Sequence, residues 1–518
     1  MKATDYKISK EKFVFCTDKD YLHDQKLETK PVSYLKDAFY RFKRNRASIT
    51  ASIIIGVLVL YALLVPIFSQ YNVEYNDSYY RYISPKNKLF VKLGIPFWDG
   101  TTGRESTLQD FYFYYSMGVE TGKNAIVDQK YTIIKKPNLA GRDVTYYKYR
   151  LDTYHAVGVV FMDLRLSEYK EIQQYQDETG IQVIYPITNE SKRPISNQDR
   201  RNGGYWFATE EINGKTSIVL DGNGDYIPIY QDYTGKDSYT SVVRYEGEGV
   251  YLYDYAIINQ TGFSVRVNYY EYYIYYHSYH LKDGITEPHF LFGTTNYGAD
   301  IFTSLASGAR FSFMLAIIVA SVNLLVGAIY GAIEGYYGGK IDLAMERFVD
   351  VLAAIPFMIV ISLLRYHFDD VSHALLLFIA FFATGWIGMA GRTRMQFYRF
   401  KNQEYVLSAR TLGAKDRRIM FKHIFPNAIG TLITSFVLVI PGMIFSETTL
   451  TYLGIINLNT GKTTSVGTLL ANAQPYLVTY PHMILFPAVF ISLLMLSFNL
   501  FGNGLRDAFN PSLRGTED

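Results

Sequence analysis

Six apolar runs of bilayer-scale length constrain this chain more than any other feature. The first, ASITASIIIGVLVLYALLVPIFS, occupies residues 47–69 and carries no charge. At about 1.5 Å of rise per residue it reaches across a hydrocarbon core of roughly 30 Å. Further runs cover residues 311–333, 348–364, 373–391, 428–445 and 483–502, of which 348–364 is the shortest and contains Pro356. A segment in lipid has to satisfy every backbone N–H and C=O internally, and this selects helices. The expectation is a polytopic α-helical membrane protein with six transmembrane helices and both termini on one side. A cleavable signal peptide does not fit, because the first run begins near residue 47 and lacks a small-residue cleavage site.

Charge orients the spans. RFKRNR, residues 41–46, immediately precedes the first run, and residues 392–423 hold nine Lys or Arg against Glu404 and Asp416. Basic residues flanking spans stay on the cytoplasmic side. The predicted layout is therefore a cytoplasmic N-terminal segment (1–46), a first span (47–69), an extracellular region (70–300), a five-helix core (301–505) with a cytoplasmic loop (392–427), and a cytoplasmic tail (506–518). Both termini are cytoplasmic in this reading.

Residues 70–300 are too long for a linker. They hold 33 of the 47 tyrosines and no low-complexity tract, which argues for a folded region. Strand-like alternation runs through DVTYYKYRLD (143–152), SVVRYEGEGVYLYDYAIIN (241–259) and FSVRVNYYEYYIYYHSY (263–279). SEYKEIQQYQDETG (167–180) reads as a surface helix stopped by Gly180. The expectation is an inserted α+β domain over about 76–286. Its tyrosines form either a wet contact face or the packing of the domain's own sheet, and the pattern does not choose between them.

Chemistry-bearing motifs are sparse. Cys16 is the single cysteine, which excludes an intrachain disulfide and a cysteine metal cluster. GKTTS (461–465) and GKTS (214–217) invite a phosphate-loop reading, but Ile456 and Thr209 stand where its first glycine belongs. The three sequons at Asn76, Asn189 and Asn259 are no more than chance supplies in a polar region of this length. The nine histidines lack metal-ligand spacing. No catalytic constellation emerges, no metal site is expected, and nothing points to nucleic acid. Glu447 and Glu334 lie at span ends, where a carboxylate is costly but tolerated. Pro356, Pro441 and Pro487 lie within spans as hinge or packing points. Glu447, Pro441 and Pro356 are the weak candidates for a pathway or gate.

The segment 404–427 is different. Glu404-Tyr405-Val406 is followed by Ser408-Ala409, Gly413-Ala414, Ile419, His423 and Pro426-Asn427. This resembles the EAA loop of ABC importer permeases, the cytoplasmic helix that docks into a groove of the ATPase subunit. The spacing of Ala409, Gly413, Ile419 and Pro426 is retained, whereas Leu407-Ser408-Ala409 lacks the acidic residue that names the loop. HFLFGTTNYGADIFTSLASGARFSF (289–313), with Gly293-Thr294, Gly298, Asp300, Gly308 and Arg310, is similar to the dipeptide and oligopeptide permeases of the OppC/DppC type, although Ala299 replaces their usual arginine. GYYGGKIDLAMERFVDVLAAIP (335–356), ETTLTYLG (447–454) and FNLFGNGLRDAFNP (498–511) are similar to the same family. The likeness covers roughly 31–75 and 287–511, and 76–286 is extra relative to compact members.

The resemblance implies a type I ABC importer permease of a bacterial plasma membrane, transporting oligopeptides or dipeptides, with nickel or another small solute as the alternative cargo. It implies a second homologous permease, two ATPase subunits that bind ATP and Mg, an extracellular solute-binding lipoprotein, a peptide substrate and surrounding lipid. The chain itself carries no cofactor and hydrolyses nothing in this reading. Ser408, Ala409, Gly413, Ala414, Ile419, His423, Pro426 and Asn427 carry the ATPase coupling, with a coupling helix over 408–420.

Overall fold

The computed structural model describes residues 34–509 except 96–97, 138–140, 142, 186–208, 213–214, 220–221, 223–241, 244–255, 260–261, 369 and 459–463. Cys16, Asn189 and most of 241–259 lie outside the described residues. Helix α1 (Tyr34–Arg44) leads directly into α2 (Arg46–Phe68), whose start is set by Asn45 accepting the Ser48 N–H at 3.2 Å.

The chain then builds its insertion. After α3 (Lys88–Lys92) come β1 (Thr101–Ser106), α4 (Leu108–Thr121), β2 (Ile126–Pro137) and β3 (Asp143–Asp152). The three strands form an antiparallel sheet in the order β1-β3-β2. α4 lies against it through Phe111, whose ring stacks on Tyr147 at 4.6 Å. β4 (Val159–Leu164), α5 (Leu166–Thr179) and β5 (Ile184–Tyr185) follow, then a β6–β7 hairpin (Thr209–Ile212, Lys215–Ile218), β8 (Val242–Val243), β9 (Ala256–Asn259) and β10 (Gly262–Asn268). A second sheet runs β4-β10-β9-β8, with β5 also paired to β10. α5 covers it through buried Tyr169 and Ile172, and Tyr169 stacks on Phe263 at 4.9 Å.

Two expectations survive here and one fails. β3 spans the predicted 143–152, and α5 ends at Gly180 in the left-handed region, φ 70°. The predicted strand over 263–279 stops at Asn268. From there α6 (Tyr269–Tyr275) and a π-helical turn (Tyr276–Leu281) take over. Asn268 caps this helix by accepting the Tyr270 N–H at 3.2 Å. Tyrosine favours strands only weakly, and burial of its ring overrides that preference. Tyr269 and Tyr273 pack with Tyr71, Tyr80, Tyr154 and Phe290 in one buried cluster. These rings form the region's own core rather than a wet face.

The insertion is seated on the helix bundle. Tyr82 stacks on Tyr480 at 4.5 Å, and Trp98 lies 5.3 Å from Phe486 and donates its indole N–H to the Leu291 carbonyl.

The remaining helices complete the bundle: α7 (Ile301–Tyr337), α8 (Gly339–Ala353), α9 (Phe357–His367), α10 (His373–Phe400), α11 (Glu404–Thr411), α12 (Asp416–Arg418), α13 (Phe425–Tyr452), α14 (Val466–Ala473) and α15 (His482–Phe509). A π-helical stretch, Ile419–Ile424, joins α12 to α13. Among the described residues five helices are long and apolar enough to cross a membrane, or six if α8 and α9 count as one span. The run read as one span at 348–364 falls on this pair, whose two helices bend by 67° at the proline expected as a hinge. Pro356 caps α9. It has no N–H to donate and disfavours the helical conformation at Ile355, so the ladder breaks there.

α7 packs most extensively against α10. Gly327, Gly331 and Gly335 form one stripe of α7 at four-residue spacing. A Cβ on Gly331 would sit 2.1 Å from the Ala390 carbonyl oxygen of α10. Glycine is required at that crossing because backbone meets backbone.

Candidate functional site

The segment singled out by its basic charge folds as a helix, a turn and a second helix, which corrects the single helix expected over 408–420. α11 stops because Gly413 adopts φ +80°. The Gly413 N–H donates to the Arg410 carbonyl at 3.0 Å, and the Ala414 N–H to the Ala409 carbonyl at 3.0 Å. This pair of bonds is a Schellman closure, whose C′ position favours glycine. The four-residue spacing of Ala409 and Gly413 is therefore the spacing of a helix stop. A Cβ on Gly413 would meet no atom of this chain within 4 Å, so backbone conformation is what demands glycine within the chain.

Behind the turn, Val406, Ile419, Met420 and Ile424 are buried with Ala332 and Tyr336 of α7 and Phe397 of α10, and Ala414 packs against them. Asp416 accepts the Tyr336 hydroxyl at 2.7 Å. The turn is thus clamped to the ends of both long helices. Ser408 is exposed, and its carbonyl accepts the Leu412 N–H at 3.1 Å. His423 is half-buried, and its carbonyl accepts the Asn427 side-chain N–H at 2.8 Å. Asn427 also donates to the Tyr405 hydroxyl at 3.2 Å. Pro426 lies at the junction where the π-helical stretch passes into α13.

The outward side of the turn carries exposed apolar groups. Leu412, at the tip, is 87% exposed. Leu407 and Phe421 are exposed beside it, and the cations Lys415, Arg417, Arg418 and Lys422 line a shallow groove with Phe421 and Pro426. Leu412 was not among the sequence candidates. The signal was present as an apolar residue directly before a helix-stopping glycine.

A second polar cluster lies at the same end of the bundle. Arg394 of α10 makes a two-pronged contact with Asp342 of α8, at 2.6 and 3.0 Å. Its guanidinium also lies 3.5 Å from Glu334 and 3.4 Å from Glu346. Glu334, read from sequence as a helix-end carboxylate, is buried inside this cluster. No single-position pattern pointed to Arg394, since its acidic partners come from two other helices.

The pathway candidates are separate from both. Glu447 is buried between α13 and α7, where it accepts the Ser312 hydroxyl at 2.8 Å. Pro441 is buried inside α13, and Pro356 marks the α8–α9 break. No cluster of three metal-ligating side chains occurs among the described residues.

Comparison with known proteins places these features. Residues 324–515 match the family described as binding-protein-dependent transport system inner membrane component. Residues 33–85 match the N-terminal TM domain of oligopeptide transport permease C. The chain is 42% identical over 223 residues to the oligopeptide transport system permease protein OppC of Bacillus subtilis, covering 43% of this chain and 72% of the relative. It is 39% identical over 225 residues to the dipeptide transport system permease protein DppC of the same organism, covering 43% and 69%. OppC of Haemophilus influenzae is 38% identical over 228 residues, covering 44% and 72%. Neither family match reaches into residues 86–323. The helix bundle, its glycine-stopped turn and these relatives agree: the chain belongs to the OppC/DppC family of binding-protein-dependent membrane permeases.

Proposed function

We propose that this chain is one of two permease subunits of an ATP-driven oligopeptide or dipeptide importer, and that it forms half of the translocation pathway. The relatives are named for oligopeptide and dipeptide transport, which favours peptide over nickel as cargo. A homologous permease completes the pathway. The apolar residues of α8 and α9, with Phe348, Val351, Ile359 and Leu363 uncovered, support a face left for that subunit or for lipid. An extracellular solute-binding lipoprotein delivers the peptide, and two partner ATPases bind ATP and Mg on the cytoplasmic side. The turn end of the bundle and both termini are cytoplasmic, and the insertion is extracellular.

The exposed tip of the turn carries this reading. Leu412, 87% exposed, forms an apolar patch with exposed Leu407 and Phe421 beside a row of cations, the pattern of an interaction surface. Docked in an ATPase groove, Leu412 is the anchor and the cations around it are the rim. The bonds that clamp the turn to α7 and α10 then pass movement of the ATPases to the spans as a rigid body.

The test is Leu412→Asp in the assembled transporter. The membrane yield of the chain should hold, since the side chain is exposed. Recovery of the ATPases, or coupling of their hydrolysis to peptide uptake, should fall at least ~10-fold, as for loss of an interface anchor. A Leu412→Asp transporter that assembles and imports normally would falsify the coupling role. Sidedness is checked separately: Cys16 should resist a membrane-impermeant maleimide in intact cells, whereas a cysteine replacing Lys236 should react.

A further inference from the structure

The segment 71–81 at the base of the insertion has a cavity on each side, and Asn76 and Ser78 belong to the walls of both. The two cavities differ in chemistry. One, of about 360 Å³, has Arg81 in its wall and no carboxylate. The other, of about 590 Å³, is walled by seven tyrosines and three carboxylates, with no lysine or arginine.

The carboxylates of the larger cavity are differently engaged. Asp77 is buried and fully used: one oxygen accepts the Tyr79 and Tyr80 N–H groups at 2.9 and 3.0 Å, and the other accepts the Tyr75 and Tyr269 hydroxyls at 3.1 and 2.7 Å. Asp283 is held by the His277 ring nitrogen at 2.6 Å. Glu74 is exposed, and its carboxylate has no partner among the described residues. Burial raises the Tyr75, Tyr269 and Tyr272 hydroxyls far above the ordinary tyrosine range. The rings therefore stay neutral, and the carboxylates set the sign of the cavity. Tyr272 and Tyr276 stack one helical turn apart, with centroids at 6.0 Å.

Neutral aromatic walls with an adjacent free carboxylate suit one class of ligand. Aromatic rings attract a cation through their quadrupole, and an organic ammonium pays less to leave water than a small ion does. We propose that this cavity binds an organic ammonium group, with Tyr75 and Tyr272 against the cation and Glu74 as its charge partner. On a peptide that group is the amino terminus or a lysine side chain, a statement that rests on the peptide reading above. The insertion then samples cationic ends of the cargo beside the entrance to the bundle.

The test is calorimetry on the purified whole transporter without its solute-binding protein. The probes are tetramethylammonium chloride, the tripeptide Lys-Ala-Ala, and neopentyl alcohol as a neutral isostere. Both cations should bind and the alcohol should not. Glu74→Gln should weaken tetramethylammonium ~5-fold, and Tyr272→Leu ~10-fold. Tyr272→Phe should bind like the parent, since it keeps the ring. Binding of the alcohol as tight as that of the cation overturns the site. So does a Tyr272→Phe loss equal to that of Tyr272→Leu. Glu74-dependent cation binding in a transporter that imports no peptide leaves the site standing and defeats the peptide reading. Normal peptide import without Glu74-dependent cation binding defeats the site alone.

Discussion

Two parts of this molecule bury themselves by opposite means. In the bundle, α7 meets α10 where side chains are absent, and a Cβ on Gly331 would lie 2.1 Å from the α10 backbone. In the insertion, the core is built from the largest rings available, with Tyr80, Tyr154 and Tyr273 fully or nearly fully buried. The solvents explain the contrast. Lipid is as apolar as a leucine side chain, so helices gain little by hiding apolar area from it. They associate through close van der Waals contact, which small residues permit. Water rewards removal of area, and a tyrosine removes much of it, at the cost of a hydroxyl without a partner among the described residues at Tyr80 but not at Tyr75 or Tyr269. The Asp77 carboxylate supplies two such partners, to Tyr75 and Tyr269.

This contrast can be broken experimentally, and the largest effect lies at the edges of the insertion. Its core includes Tyr71 and Phe290, both outside the 76–286 predicted from sequence. A fragment covering 70–291 should be soluble and unfold cooperatively. The 76–286 fragment lacks both rings and should be destabilised beyond the ~3–5 kcal/mol of one large-to-small ring change. Equal denaturant midpoints for the two fragments would show that the ring core ends inside 76–286.

Next in size is Tyr273→Ala, which empties one core position at a cost of ~3–5 kcal/mol. In the whole chain, limited proteolysis should then open the insertion first and leave the bundle resistant. Gly331→Leu should do the converse at ~1–3 kcal/mol of overpacking. It should lower recovery of monodisperse chain in detergent while the insertion of the same chain keeps its resistance to limited proteolysis. If Gly331→Leu leaves recovery intact, the backbone approach of α7 and α10 is not what holds the bundle.

Smaller effects belong to the turn, which follows neither rule. Gly413→Ala forces a side chain to φ +80° and should cost ~1–2 kcal/mol. Gly413→Trp adds bulk at the same strained position and should also reduce ATPase recovery. Arg418→Glu reverses an exposed cation and should stay within about 0.5 kcal/mol in stability. If the turn instead works by adhering to anionic headgroups, Arg418→Glu would harm uptake at least as much as Gly413→Trp, with ATPase recovery intact in both.

Parts of the candidate site could be read before any coordinates. The basic run and Gly413 marked the turn, and their physical roles follow from single residues: cations stay out of lipid, and glycine accepts a positive φ. Arg394 could not be read this way. Asp342 and Glu346 of α8 and Glu334 of α7 become its neighbours only when three helices converge. Leu412 was visible as a letter, but its exposure depends on Val406 and Ile419 turning inward against α7 and α10.

By itself the sequence determined what short-range physics controls. Long uncharged runs have to be helices in lipid, the nine cations of 392–423 have to lie outside the spans, and β3 and α5 follow from alternation and from the stop at Gly180. Tertiary structure decided the rest. Whether the tyrosine run after Asn268 continued as a strand or turned into a helix depended on which rings waited around it, and local preference differs too little between the two. The backbone contact at Gly331 was likewise set by neighbours distant in the chain. Such contacts gather their energy from pairs that no local window of sequence contains.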